Sequence, residues 1–167
     1  DMLAKTPVAE IHIYDGDLFL QHNAFRSPGA ASIEQLDKQM KKADYYAAIY
    51  GQMHKHIIPH NYYVDASNVA ELDQMTYVFI AIDKGKPRKF ITDHLVNVKV
   101  SFIDVGLGVN IVDDHLIGTL RVTTGTSEKS DHLAERLPGT DDLDNEYATN
   151  IQIAELNAMN AMMAVIK

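Results

Sequence analysis

Cysteine is missing altogether from the 167 residues of this chain. Disulfides are thereby excluded, and the absence fits a cytoplasmic protein. Positive charge is scarce as well: 15 lysines and arginines face 23 acidic residues, a net charge of −8. That balance argues against nucleic acid as a partner, because such binding rests on basic side chains neutralising phosphates. It leaves smaller anions open, which need only local positive groups. No apolar run reaches membrane-spanning length, and the N-terminus lacks a basic region followed by an apolar core. No membrane partner is expected, and the sequence offers no address beyond the cytoplasm. Internal repeats and low-complexity tracts are lacking too. What remains is ordinary: 46% hydrophobic and 23% charged residues, in a chain long enough for one domain with a real core.

Strand-like and helix-like segments alternate along the chain. Val8 to Tyr14 reads as a strand, and Asp15 to Ser32 as a long loop containing Pro28-Gly29. Ser32 and Gln35 have the pattern of a capping box, with Ser32 accepting from free N–H groups while Gln35 reaches back. The helix they open is predicted to run to about Gly51. Ile57 to Val64 is the next strand, and Asn68 to Gln74 a short helix. Thr76 to Ile82 is an uninterrupted β-branched and aromatic run, as a parallel strand buried on both faces requires. Gly85 to Asn97 predicts a helix and Lys99 to Ile103 a strand. Asp113-Asp114 then separates Asp104–Val112 from His115–Thr124, which reads as an antiparallel hairpin. Gly125 to Asn145 is polar, with an acidic run at Asp141, Asp142 and Asp144, and reads as a mobile crossover loop. Glu146 to Lys167 predicts a long helix. The fold class is therefore α/β: a Rossmann-like, mostly parallel sheet flanked by helices, with an antiparallel hairpin extension and a long C-terminal helix.

The chemistry concentrates after the first strand. Asp15-Gly16-Asp17, Asn23 and Arg26 form D-x-D-x5-N-x2-R directly behind Ile11-His12-Ile13-Tyr14. An acidic residue at the carboxyl end of a parallel strand is where a mononucleotide-binding fold grips ribose hydroxyls. Arginine on the loop beyond offers a planar fork of donors suited to phosphate oxygens. The plainer alternative is a polar loop after a strand.

These residues resemble the ThiF/MoeB/HesA family, relatives of the ubiquitin-activating enzymes, which adenylate the C-terminal carboxylate of a ubiquitin-like protein. The resemblance runs from Asp1 to about Thr123, with a family-like stretch from Glu146 to Lys167. It implies that Asp15 holds the ribose, with Asp17 as the alternative contact, and that Asn23 and Arg26 meet the phosphates. Lys42 would meet them from the start of the next helix, and Asp83, closing Tyr77–Ile82, would handle magnesium. Arg26, Lys42 and Asp83 are thus the implied catalytic residues, ATP and Mg2+ the cofactors, and a ubiquitin-like or sulfur-carrier protein the partner. A homodimer is implied too. The whole of 1–167 would form one adenylation domain, truncated at its N-terminus.

Two departures limit that reading. The family's glycine-rich phosphate loop would lie before residue 1, since Asp1 to Pro7 reads as the last turns of a helix stopped by proline. The first strand would be missing with it, and these residues would not by themselves be active. Family members that form a thioester use cysteine, and many bind zinc through paired cysteines; neither is possible here. Lys84 also stands where the family usually has Asn. Adenylation is then the one family activity supported. Both reactants are anions, so positioning and charge neutralisation dominate catalysis, and no general base is required because a carboxylate is already ionised.

Each residue has a plainer reading. Lys42 can be a solvated helix lysine, Arg26 a surface charge, and Asp83 the cap of the following helix. His54, His56 and His60 form H-x-H-x3-H without a carboxylate at ligand spacing, so surface imidazoles are favoured over a metal site. The terminal stripe of Ile151, Ala154, Ala158, Met159, Met162 and Val165, broadened by Met163 and Ile166, is either core or a subunit interface. Two other functions stay open. A non-catalytic relative would bind a nucleotide or a partner's tail without turnover. A nicotinamide-dependent oxidoreductase would explain the acidic residue but neither Asn23, Arg26 nor Lys42.

Overall fold

The computed structural model describes residues 1–137 and 153–167. Two compact units divide the chain, Asp1–Tyr63 and Val64–Lys167. The acidic run at 141–144, the predicted helix start at Glu146 and Ile151 lie outside the described residues.

The first unit opens with a 3-10 turn, Leu3–Lys5. Strand β1 (Ile11–Tyr14) pairs in parallel with β2 (Ile57–His60), in register from Ile11 opposite Ile57 to Tyr14 opposite His60. Between them come the short helices α1 (Gln21–Ala24) and α2 (Ile33–Asp37) and the longer α3 (Lys42–Tyr50), which packs on both strands. The capping box at Ser32 and Gln35 forms as predicted, with both reciprocal bonds in place. The single helix expected from Ser32 to Gly51 is broken, however. Gln39 takes a left-handed backbone (φ 47°), and the next residues turn sideways to residues 17–19. Met40 accepts from the Phe19 N–H, Leu18 bridges Lys41, and the Lys42 N–H donates to the Asp17 carbonyl. Backbone groups satisfied across the loop are no longer available to continue a helix. The core of this unit is aromatic: Phe19 is buried and stacks on Tyr45 at 3.8 Å between ring centroids, with Tyr46 edge-on to both.

In the second unit a 3-10 helix (Val69–Gln74) precedes β3 (Val78–Ile80) and α4 (Gly85–Val98). Strand β4 (Phe102–Val112) runs parallel to β3 and antiparallel to β5 (His115–Gly125). The segments predicted on either side of Asp104 are thus one continuous strand. Asp113 and Asp114 both have positive φ (49° and 62°), which suits a tight hairpin between right-twisted strands. Helix α5 (Leu133–Arg136) follows, and α6 (Ala154–Ile166) packs on β4 and β5. Leu72, Ile80, Ile91, Leu95, Phe102 and Ile103 fill its core. The α/β class, the parallel pairings, the hairpin and the C-terminal helix are all as the sequence predicts.

Gly125 at the end of β5 tests this packing. A Cβ there would meet two ring carbons of the buried Phe102 at 2.5 Å. Gly125→Ala is expected to lower stability by about 1–3 kcal/mol, the usual cost of overpacking a core. Urea unfolding measures it, and an unchanged midpoint would mean that the Phe102 ring relaxes without strain.

Candidate functional site

The loop leaving β1 is held in place by its own charges. The Asp15 N–H donates to the His60 carbonyl at 3.1 Å, which ties the loop start to the end of β2. One Asp15 carboxylate oxygen, Oδ1, accepts from the Asp17 N–H at 2.8 Å. The loop then folds onto the N-terminus of α3. Lys42, the first residue of that helix, brings its Nζ to 2.7 Å from Asp17 Oδ2 and 3.7 Å from Asp15 Oδ2. Neighbouring Lys41 donates instead to the Gly16 carbonyl at 2.6 Å. The two adjacent lysines therefore have different jobs, one grasping backbone and the other carboxylates.

Tyr63, which the sequence reading did not single out, completes the cluster by donating its hydroxyl to Asp17 Oδ1. The sequence places it within the predicted strand Ile57 to Val64, which in the structure ends at His60. Bonds from Lys42 and from Tyr63 hold the Asp17 carboxyl below its ordinary pKa. A depressed carboxylate stabilises the fold above its unfolded pKa and ceases to do so as pH falls through the folded value. The first unit should thus lose stability from about pH 4 downward, and Asp17→Asn should flatten that part of the curve. Thermal melts of both proteins between about pH 2 and pH 6 check this. Parallel curves would place the acid sensitivity elsewhere.

The other predicted residues are differently placed. Asn23 is buried, and its Oδ1 accepts from the Leu20 N–H at 2.9 Å, fixing the start of α1. Arg26 follows α1, is half-buried, and its side chain has no hydrogen bond or ion pair among the described residues. Asp83 belongs to the second unit and lies exposed in the bend between β3 and α4. It does not cap α4: the N-cap is Lys84, and no side chain bonds there. Arg88 is buried, donates to the Ile82 carbonyl just before Asp83, and reaches Asp104 Oδ1 at 3.0 Å.

The histidine motif does not assemble as a unit. His54 bonds the Val8 carbonyl, whereas His60 faces His12 with ring nitrogens 2.8 Å apart. Among the described residues no group of three or more His, Cys, Asp or Glu is arranged to hold a metal ion. A single exposed carboxylate such as Asp83 still suits magnesium, which often takes one or two protein carboxylates together with phosphate oxygens.

Comparison of the sequence with protein-family profiles and with curated proteins finds no match. Solved structures do match. The chain shares its fold with E. coli MccB. The crystal structure of MccB with ATP superposes with a TM-score of 0.62 at 18% identity, covering 98% of this chain and 48% of that one. MccB with MccA gives 0.66 at 19% identity over the same shares. MccB with both AMPCPP and MccA gives 0.59 at 16% identity, again over 98% and 48%. The chain therefore spans about half the length of the MccB chains it matches. At such identity the likeness to MccB speaks for the fold alone. No helix among the described residues is long and apolar enough to cross a membrane.

Proposed function

We propose that the protein takes part in ATP-dependent adenylation of a carboxylate at the C-terminus of a partner polypeptide. The observation that carries this reading is the Asp15–Asp17–Lys42 cluster at the carboxyl ends of two parallel strands, where α/β sheets bind their ligands. The motif's resemblance to the ThiF/MoeB/HesA family supports it. So does the shared fold of MccB, which has been crystallised with ATP and with MccA.

In the proposed reaction a carboxylate oxygen attacks the α-phosphorus of ATP. The bond from that phosphorus to the bridging oxygen breaks, and pyrophosphate leaves with the electron pair. No proton moves, so no general base is assigned. Asp15 would accept from the ribose hydroxyls, with Asp17 beside it. Lys42 would exchange part of its pairing with Asp17 for a phosphate oxygen, keeping its charge compensated throughout. Arg26 would supply a bidentate clamp on the phosphates, and Asn23 a contact through its amide group. Asp83 would hold magnesium, which when bound draws charge off the phosphates. The substrate is proposed to be a ubiquitin-like or sulfur-carrier protein. The protein is proposed to act as a homodimer, which would cover the exposed Met159, Met162, Met163 and Ile166 of α6.

ATP–pyrophosphate exchange by the full-length protein tests this reading directly. Exchange that depends on an added carrier protein is expected; ATP binding with no exchange would make the protein a non-catalytic binder. Asp15→Ala should raise the ATP concentration needed for half-maximal exchange by about tenfold, with a smaller change in maximal rate, because the ribose is remote from the reacting phosphorus. An unaltered ATP requirement would move the ribose contact to another residue.

A further inference from the structure

The carboxyl ends of β1 and β2 also carry a ring to which the proposed chemistry gives no part. Tyr63 lies three residues beyond β2 and is anchored twice. Its hydroxyl donates to Asp17, and its ring lies over Gly16, where a Cβ would come within 2.9 Å of Cε2, 3.0 Å of Cζ and 3.1 Å of Cδ2. The glycine of Asp-Gly-Asp is thus what lets the ring settle against the loop. Despite both anchors, Tyr63 remains 62% exposed. A core tyrosine would be buried and an idle surface tyrosine would swing freely. This ring is oriented yet open to solvent, which is what a stacking surface requires.

Its neighbour Tyr62 is placed otherwise. Tyr62 bonds His60 Nδ1 at 2.9 Å and stands edge-on to Tyr14 and His60, within the cluster that lines the strands. Tyr63, by contrast, is tied to Asp17, one of the carboxylates proposed to face a nucleotide. An ordered ring also loses little freedom when a flat ligand is laid on it.

We propose that Tyr63 is the platform on which the purine base of the nucleotide stacks, an inference that rests on the nucleotide-binding function above. Asp15 then meets the ribose while Tyr63, on the adjoining strand end, meets the base. Recognition by stacking requires an aromatic ring rather than a hydroxyl, so the ring and the Asp17 bond can be separated by substitution. Tyr63→Phe keeps the platform and removes the bond. Tyr63→Ala removes both, and its exposed position leaves the fold intact, which a thermal melt verifies.

Calorimetric titration of the full-length parent and the two variants with ATP and with inorganic tripolyphosphate decides the matter. Base stacking predicts that Tyr63→Ala binds ATP about ten- to a hundredfold more weakly. Tyr63→Phe should stay within about threefold of the parent, and all three should bind tripolyphosphate alike. The inference is overturned if Tyr63→Ala binds ATP normally, if Tyr63→Phe is as weak as Tyr63→Ala, or if tripolyphosphate weakens in step with ATP. That last result would mean the ring acts through Asp17 and Lys42. A parent protein that binds neither ligand overturns the nucleotide function itself, and this inference with it.

Discussion

In the full-length protein, Arg26→Ala is expected to lower carrier-dependent pyrophosphate exchange by about a hundredfold, the usual effect of removing one fixed donor from developing charge. It should do so with almost no change in stability. The Arg26 side chain has no hydrogen bond or ion pair among the described residues, so its removal breaks nothing in the resting fold. A melting temperature within about 2 °C of the parent is therefore part of the expected result. Lys42→Ala makes the useful contrast. Removing Lys42 leaves Asp15 and Asp17 without their shared counter-ion, so activity and melting temperature should fall together. Asp83→Asn should resemble Arg26→Ala, because Asp83 is exposed and caps no helix. Full exchange activity in both Arg26→Ala and Asp83→Asn would remove these residues from the chemistry.

Asp104→Ala should be the most damaging single substitution for stability, at about 3–5 kcal/mol. Asp104 is fully buried on β4, with Arg88 Nε at 3.0 Å from one oxygen and an Arg121 Nη2 at 2.8 Å from the other. Burial raises its pKa even though both guanidiniums oppose the shift. Taking out the carboxylate leaves Arg88, itself only 3% exposed, as a buried charge with no counter-ion from Asp104. The cost comes from that stranded charge rather than from the net worth of the cluster. Replacing Asp104, Arg88 and Arg121 together by apolar residues of similar volume should accordingly cost less than Asp104→Ala alone. Guanidinium unfolding of the two variants gives the comparison; a triple variant less stable than the single one would show that the ion cluster contributes net stability.

Local rules made much of this fold legible. The Ser32 capping box, the stop after Tyr50 and the hairpin at Asp113-Asp114 each follow from a few neighbouring residues. By contrast, the run Thr76–Ile82, expected to be buried on both faces, is a strand only at Val78–Ile80, with Phe79 exposed and Ile80 buried. Misreadings arose where distant segments compete. The break at Gln39 depends on backbone bonds between residues 40–42 and 17–19, which no periodicity within 32–51 reveals. The sequence pattern divides Lys99–Ile103 from Asp104–Val112, yet Asp104 lies inside the continuous strand Phe102–Val112. Two arginines far along the chain make it interior instead. In the candidate site, Lys42 lies beside both Asp15 and Asp17. Asn23 is buried and accepts from the Leu20 N–H at the start of α1, a local capping role that the D-x-D-x5-N-x2-R spacing does not reveal. Tyr63 escaped notice because nothing in a single sequence marks an aromatic as oriented.

The aromatic packing of the first unit has a practical outcome. The chain contains no tryptophan, so tyrosine dominates its ultraviolet emission. Tyr14, Tyr45, Tyr46, Tyr50, Tyr62 and Tyr63 all fall within Asp1–Tyr63, leaving only Tyr77 and Tyr147 beyond it. Fluorescence therefore reports mainly on the first unit, whereas amide circular dichroism watches both. The protein carries its own optical label on the half proposed to bind the nucleotide, and unfolding of one unit before the other would separate the two signals in a single heating scan.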